Sequence, residues 1–389
     1  MRSRYLEPLV TKDLKEKMVF IGGPRQVGKT TMAKSIATDS YEFSQYLNWD
    51  EKNDRRSIME GSFDAKSKLM IFDEIHKYKQ WKNMIKGIFD KHKERFSILV
   101  TGSARLDIFR KGGDSLLGRY YHYRLHPFSV AELNKTKQKF QTFKELIFEE
   151  SPSKKSFENL FRFGGFPEPL LKQDETFLRR WHNQRLDRLI KEDIRDATLV
   201  RDISTLQILA DILPSKVGAL LSINSLKEDL QVSHKTVSLW VDVLERFYYH
   251  FRIYPFTGNA IKSLRKEPKL YLWDWSELEN EAAKFENIIA SHLLKFVHYL
   301  YDVKGYKAEL NYLRDIEGRE VDFIVSIDKK PWFTVEVKLS DKEPAKNIQY
   351  FTKRLKIPFS YQVIMPPGID LIKNNTRVIS ADLFLNGLV

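Results

Sequence analysis

The chain has 389 residues, 42% of them apolar and 13% aromatic, which excludes a disordered polymer and predicts two or three folded domains. It has no cysteine, which excludes disulfides, zinc–thiolate centres and thiol nucleophiles. Lys and Arg number 65 against 52 Asp and Glu, a net charge of +13 that favours a polyphosphate partner such as nucleic acid, or an acidic membrane surface.

The first residues, Met1-Arg2-Ser3-Arg4-Tyr5-Leu6-Glu7-Pro8, lack the apolar core of a secretory signal. No later run reaches the roughly 20 apolar residues that span a bilayer. The expectation is a cytoplasmic protein without a membrane partner. The apolar run Met18-Val19-Phe20-Ile21 predicts a short buried strand, and Thr31-Met32-Ala33-Lys34-Ser35-Ile36-Ala37 predicts a helix. Between them stands Gly23-Pro24-Arg25-Gln26-Val27-Gly28-Lys29-Thr30, a complete phosphate loop in the strand–loop–helix context it requires. Gly23 and Gly28 allow backbone N–H groups to close around phosphate oxygens. Lys29 is the residue for the β- and γ-phosphates and Thr30 a ligand for Mg²⁺, and Thr31 completes the nucleotide-binding set.

Lys68-Leu69-Met70-Ile71-Phe72-Asp73-Glu74 is next, an apolar strand ending in two carboxylates. After a phosphate loop, Asp73 is placed to hold the Mg²⁺ shell and Glu74 to polarise an attacking water. A third buried strand, Phe96–Val100, ends in Thr101-Gly102-Ser103, so Thr101 and Ser103 are candidates to sense the γ-phosphate. Leu117-Gly118-Arg119 then leads into a strand-like Tyr120–Leu125.

These residues resemble the AAA-type branch of P-loop ATPases. More narrowly, they resemble a bacterial and archaeal family that joins such an ATPase to a C-terminal domain long labelled as of unknown function. The match lies in Gly23–Thr30, Phe72-Asp73-Glu74-Ile75-His76, Thr101-Gly102-Ser103, Leu117-Gly118-Arg119 and Gly164-Gly165-Phe166-Pro167-Glu168. The resemblance implies ATP and Mg²⁺ as cofactors and a helical lid. It also implies a catalytic role for Arg119 as an arginine finger, which requires a neighbouring copy and hence a homo-oligomer.

Beyond the ATPase core, set at 1–135, residues 136–201 read as lid and linker. Asn134–Ser156 is polar but carries Phe140, Phe143 and Phe148, predicting a helix and loop that close the core, and Glu175–Arg201 reads as one long basic helix. Residues 202–260 hold a short helical cluster. Leu206, Leu209 and Leu213 share a face that stops at Pro214. Ser225–Leu230 follows, and Ser233 caps a helix with Val237, Trp240, Val241 and Leu244 at helical spacing. With the strand-like Tyr248–Tyr254 this is the order of a winged helix-turn-helix, presenting His234, Lys235 and Ser238 to DNA.

In the last segment, 261–389, Glu320–Val325 alternates as a strand, residues 327–331 turn, and Trp332–Lys338 returns. The hairpin sets Asp322 opposite Glu336, and Glu336 and Lys338 share a face. The carboxylates are candidate Mg²⁺ or Mn²⁺ ligands, with Lys338 either orienting the attacking water or offsetting phosphorane charge. This Asp…Glu-x-Lys pattern resembles the restriction-endonuclease-like superfamily, in which an upstream helical glutamate is common; Glu286 matches it. The expected fold class is therefore α/β: an AAA-type P-loop sheet with a helical lid, a central winged helix and a C-terminal restriction-endonuclease-like domain. The function it points to is ATP hydrolysis directed at DNA, with a metal-dependent nuclease using Asp322, Glu336 and Lys338. The alternative is a nucleotide-switched regulatory ATPase whose nuclease-like domain only binds.

Overall fold

The computed structural model describes residues 4–102, 116, 118–137, 139–149, 154–195, 200, 202–257 and 266–389. Ser103 and Leu117, singled out in the sequence, lie outside these residues. Two compact units account for the chain: Met1–His126 with Arg246–Tyr248, and Pro127–Glu245 with Tyr249–Val389.

In the first unit, β1 (Met18–Gly22), β2 (Ser44–Asn48), β3 (Leu69–Asp73), β4 (Ser97–Gly102) and β5 (Tyr120–Arg124) form a parallel sheet in the order β2-β3-β4-β1-β5. Every residue of β1 and β3 is buried, which is why both read as unbroken apolar runs rather than alternating ones. Helices Glu7–Asp13, Lys29–Ser40, Lys52–Glu60 and Trp81–His92 accompany the sheet. Met18, Phe20, Met70, Phe72, Trp81, Ile85, Ile98 and Val100 belong to one buried cluster. Each such side chain contributes about 1.5–3 kcal/mol by leaving water. Because β1 and β3 both flank β4, the carboxyl ends of these three strands meet at one edge. That edge is where an open parallel sheet places its ligand crevice.

The second unit begins with helix Val130–Asn134, whose start is fixed by a reciprocal capping box between Ser129 and Glu132. Helices Lys154–Phe163, Pro167–Lys172 and Glu175–Arg188 follow, and Asp174 caps the last of them. Of the long basic helix expected over Glu175–Arg201, Glu175–Arg188 is α-helical and Leu189–Ile194 continues it as a π-helical turn, while residues 196–199 and 201 lie outside the described residues. Helices Ile203–Ile212, Ile223–Leu230 and His234–Arg246 come next. They precede an antiparallel pair, β6 (His250–Ile253) and β7 (Lys269–Leu272).

The remainder is helix Glu281–Asp302 and a six-stranded sheet: β8 (Ala308–Arg314), β9 (Glu320–Ile327), β10 (Lys330–Lys338), β11 (Phe359–Ile364), β12 (Asp370–Lys373) and β13 (Thr376–Ser380). Its order is β12-β13-β11-β10-β9-β8, with β8–β9–β10 antiparallel, β10, β11 and β13 parallel, and β12 antiparallel to β13. Helix Lys346–Leu355 provides the crossover that a parallel β10–β11 pair demands, and helix Ala381–Asn386 follows β13.

Segment 139–149 contains no helix. Its aromatics belong instead to the core of this unit: Phe140 lies against Phe296 and Trp332, and Phe148 against Tyr361 and Phe384. The Lys144 carbonyl accepts the Trp332 indole N–H at 2.8 Å, and the Leu146 N–H donates to the Tyr361 hydroxyl at 3.0 Å. By contacts the first unit ends at His126.

Candidate functional site: a phosphate loop and a carboxylate cluster

In the first unit, the chain leaves β1 through a loop in which Gly23, Gln26 and Gly28 all have positive φ (149°, 63° and 99°), the backbone alternation of an anion-cradling turn. Gly23 is required sterically as well: a Cβ there would stand 2.4 Å from the Leu125 carbonyl oxygen. Lys29 opens the following helix and is buried, its ammonium donating to the Gly23 and Pro24 carbonyls at 3.0 and 2.8 Å. The lysine thus lies folded over the loop that it is expected to serve.

Asp73 stands at the end of β3 and receives three hydroxyls. Thr30 Oγ1 and Tyr46 Oη each donate to Oδ2 at 2.7 Å, and Thr101 Oγ1 donates to Oδ1. Burial and then the Asp73 contact push the Tyr46 phenol above its ordinary range, so it stays a donor. Glu74 adopts a left-handed conformation (φ 56°), with its backbone N–H on the Thr101 carbonyl at 2.9 Å. His76 Nε2 is 3.6 Å from Glu74 Oε2. Burial first, then Lys77 and Lys29, push the His76 imidazole down to about 4, so it is neutral near neutral pH.

Thr30, Asp73, Glu74 and Thr101 are therefore brought together beside Lys29. Tyr46 was not anticipated; it sits in Ser-Gln-Tyr-Leu-Asn, a strand whose only buried residue is Leu47 and which carries no motif. Arg119 lies elsewhere, at the start of β5. Its guanidinium pairs with Asp90 of helix Trp81–His92, Nε to Oδ1 at 2.9 Å and Nη2 to Oδ2 at 3.3 Å. Its carbonyl accepts the N–H of Met18 at the amino end of β1, the end opposite the phosphate loop.

In the second unit, the β9–β10 hairpin closes on a two-residue turn, Asp328-Lys329, with both φ positive (50° and 62°). Val335 pairs with Phe323, so Glu336 comes opposite Asp322. Asp322 Oδ2 accepts the Val337 N–H at 2.9 Å, and Lys338 Nζ is 2.8 Å from Glu336 Oε1. Helix Glu281–Asp302 adds Glu286, whose Oε1 accepts the Tyr271 hydroxyl at 2.7 Å. Burial and then the Asp322 charge push both Glu286 and Glu336 up to about 7.

The residue at the centre of this cluster is Lys269, at the head of β7. Its ammonium lies 2.6 Å from Glu320 Oε1 and 3.4 Å from both Glu286 Oε1 and Asp322 Oδ1. Burial would lower its proton affinity, but Asp322, Glu286 and Glu320 outweigh that and raise it. Among the described residues, no group of three or more His, Asp or Glu side chains is set to hold a metal ion. The sequence offers one weak signal for Lys269: a lysine directly preceding the apolar run Leu270-Tyr271-Leu272-Trp273. Such a residue ordinarily reads as a solvated strand end.

No described helix is long and apolar enough to cross a membrane. Residues 154–283 match a domain of unknown function (DUF8612), and residues 282–384 match another (DUF4143). Among curated proteins, the chain is similar to two uncharacterized proteins of Methanocaldococcus jannaschii. One is 22% identical, with 90% of this chain and 82% of that protein covered; the other is 24% identical, with 88% and 79% covered. An uncharacterized protein of Mycobacterium tuberculosis is 21% identical over 66% of this chain and 54% of its own length. Among solved structures, the RuvB Holliday junction branch migration motor of Thermotoga maritima overlaps with a TM-score of 0.33 at 19% identity, covering 67% of this chain and 93% of that one. An overlap that loose carries no argument about this chain. Residues 15–134 match the AAA domain family, and with the phosphate loop in place this segment is an AAA-type P-loop ATPase-like domain.

Proposed function

We propose that the chain binds ATP with Mg²⁺ and hydrolyses it at the crevice formed by the ends of β1, β3 and β4, and that it acts on DNA. The observation that carries the ATPase reading is the 2.7 Å contact between Thr30 Oγ1 and Asp73 Oδ2 beside a buried Lys29. The two expected Mg²⁺ ligands already adjoin each other and the phosphate-binding lysine. On this reading Lys29 leaves the Gly23 and Pro24 carbonyls for the β- and γ-phosphates, and Thr30 and Asp73 hold the ion. Glu74 polarises the attacking water, and Thr101, joined to Asp73, responds to the γ-phosphate. Arg119 serves a neighbouring copy only after releasing Asp90.

DNA is favoured by the +13 net charge and by three helices followed by an antiparallel pair, which agrees with a winged helix. His234 and Lys235 are exposed on the third of those helices. For the C-terminal segment, the alternation of helix, antiparallel strands, helix and parallel strand supports a restriction-endonuclease-like reading. A specific observation favours the non-cutting version of it: the Lys269 ammonium stands among Glu286, Glu320 and Asp322.

Steady-state ATP turnover, beside cleavage of plasmid DNA in Mg²⁺ or Mn²⁺, tests these assignments. Lys29→Ala and Glu74→Gln should each lower turnover by about 10²-fold or more, the usual share of a phosphate-binding or water-polarising group. Unchanged turnover in both would remove the assignment. Cleavage lost in Asp322→Ala would restore the nuclease; its absence in the wild type leaves a nucleotide-switched protein with a binding-only C-terminal segment.

A further inference from the structure

We propose that Lys269 is a built-in cation that takes the place of a divalent metal in the carboxylate cluster of the second unit, so that the cluster holds its shape without an ion. The argument begins with burial. Lys269 is 2% exposed, and an ammonium so far out of water persists only when carboxylates surround it. Three do: Glu320 at 2.6 Å, and Glu286 and Asp322 at 3.4 Å, delivered by helix Glu281–Asp302 and by β9. Glu286 and Asp322 are also two of the three side chains that a metal between the helix and the hairpin would use. A divalent ion bound to both would meet a like charge within hydrogen-bond range of each ligand.

The remaining charges fit the same account. Glu320 pairs through its other oxygen with Arg314 at 2.7 Å, and Glu336 pairs through one oxygen with Lys338. Four carboxylates thus face three cations of the chain itself. The exception is Glu336 Oε2, which is buried and has no hydrogen-bond partner among the described residues. That oxygen is what a metal would have engaged, and with Lys269 present it goes unused. The chain also packs close to Glu286 on one side. Val217 and Leu220 bridge to β7 at Leu270 and Lys269, and a methyl group on the intervening Gly218 would come within 3.2 Å of the Glu286 carboxylate. The backbone at Gly218 therefore lies directly against the Glu286 carboxylate.

The inference deepens the non-cutting reading above but rests on ion-pair geometry, and its test reads metal binding rather than ATP turnover, so the two fail separately. The probe is Mn²⁺, titrated into the full nucleotide-free chain and followed by the loss of its free-ion electron paramagnetic resonance signal. Wild type, Lys269→Met and Lys269→Gln would each be compared with the same protein carrying Asp322→Asn. The expected result is no Asp322-dependent Mn²⁺ site in wild type, and a gain of one such site in whichever Lys269 variant keeps its fold, lost again with Asp322→Asn. An Asp322-dependent site in wild type overturns the proposal, and this arm needs no folded Lys269 variant. A folded Lys269 variant that gains no site overturns it too, since the lysine would then not be standing where the ion goes.

Discussion

Thr30 and Tyr46 donate to the same oxygen of Asp73, and Thr101 to the other, so one carboxylate organises three strand ends and the phosphate-loop helix. A hydrogen bond to a charged acceptor contributes about 1.5–3 kcal/mol, twice the neutral value. Tyr46→Phe should therefore lower the unfolding free energy of the first unit by about that much in a urea titration. It should also weaken the Mg²⁺ dependence of turnover less than Asp73→Asn does. A Tyr46→Phe protein as stable as wild type would mean that the phenol is replaced by water without cost. Gly23→Ala is a harsher change at the same loop. With φ at 149° and the Leu125 carbonyl 2.4 Å from the new methyl group, strand β1 and the start of β5's exit cannot both keep their places. Nucleotide binding should be lost together with about 1–3 kcal/mol of stability. Fluorescent-nucleotide titration and urea unfolding would report the pair, and normal binding would show that the loop is looser than its contacts imply.

At the scale of elements, helix Glu175–Arg188 is joined to the 275–277 turn by charge. Arg185 Nη1 meets Glu277 Oε1 at 2.8 Å, while His182 Nε2 lies 2.9 Å from Ser276 Oγ and 3.6 Å from Asp274 Oδ2. Gly164 and Gly165 allow this turn to approach, since added methyl groups would stand 2.7 Å from Asp274 Oδ1 and from Trp275 Cη2. Burial lowers the proton affinity of His182, but the hydrogen bond and charge of Asp274 outweigh it and raise the imidazole above its ordinary value. A raised folded-state value stabilises the fold fully below the unfolded value, about 6.5, and that contribution is lost as pH rises through the folded one. Wild type should lose stability upward from about pH 6.5, and His182→Gln should be flatter over the same range. Parallel curves in thermal melts would exclude the imidazole as the cause. The sequence disclosed elements in proportion to how local their determinants are. Asp328-Lys329 sits between alternating apolar residues, so the hairpin and its 322–336 pairing were readable. Segment 139–149 was not, because Phe140 and Phe148 find their partners, Trp332 and Tyr361, about 190 and 210 positions away. Lys269 escaped for the same reason: its three carboxylates come from residues 286, 320 and 322.

At the scale of the whole molecule, the phosphate loop was legible because its chemistry is contiguous in the chain, whereas contacts between distant segments were not. Lys295 of helix Glu281–Asp302, for example, reaches back to the Ser129 hydroxyl at 3.0 Å and pairs with Glu132, about 160 positions earlier. Net charge is the one property that the sequence states for the entire chain without reference to its fold, and it bears on the proposed DNA partner. Phosphate contacts release condensed counterions, so the logarithm of affinity should fall linearly with the logarithm of salt concentration. If six or more phosphates are engaged, affinity for a fluorescein-labelled duplex should drop about 10³-fold or more between roughly 50 and 200 mM salt. Lys235→Ala, at the exposed start of helix His234–Arg246, should reduce that slope by about one while leaving ATP turnover unchanged. A shallow slope in wild type would mean that the +13 surplus is dispersed as solvated lysine and not gathered on a nucleic-acid face. A steep slope that Lys235→Ala leaves intact would keep DNA as the partner and move its seat away from this helix.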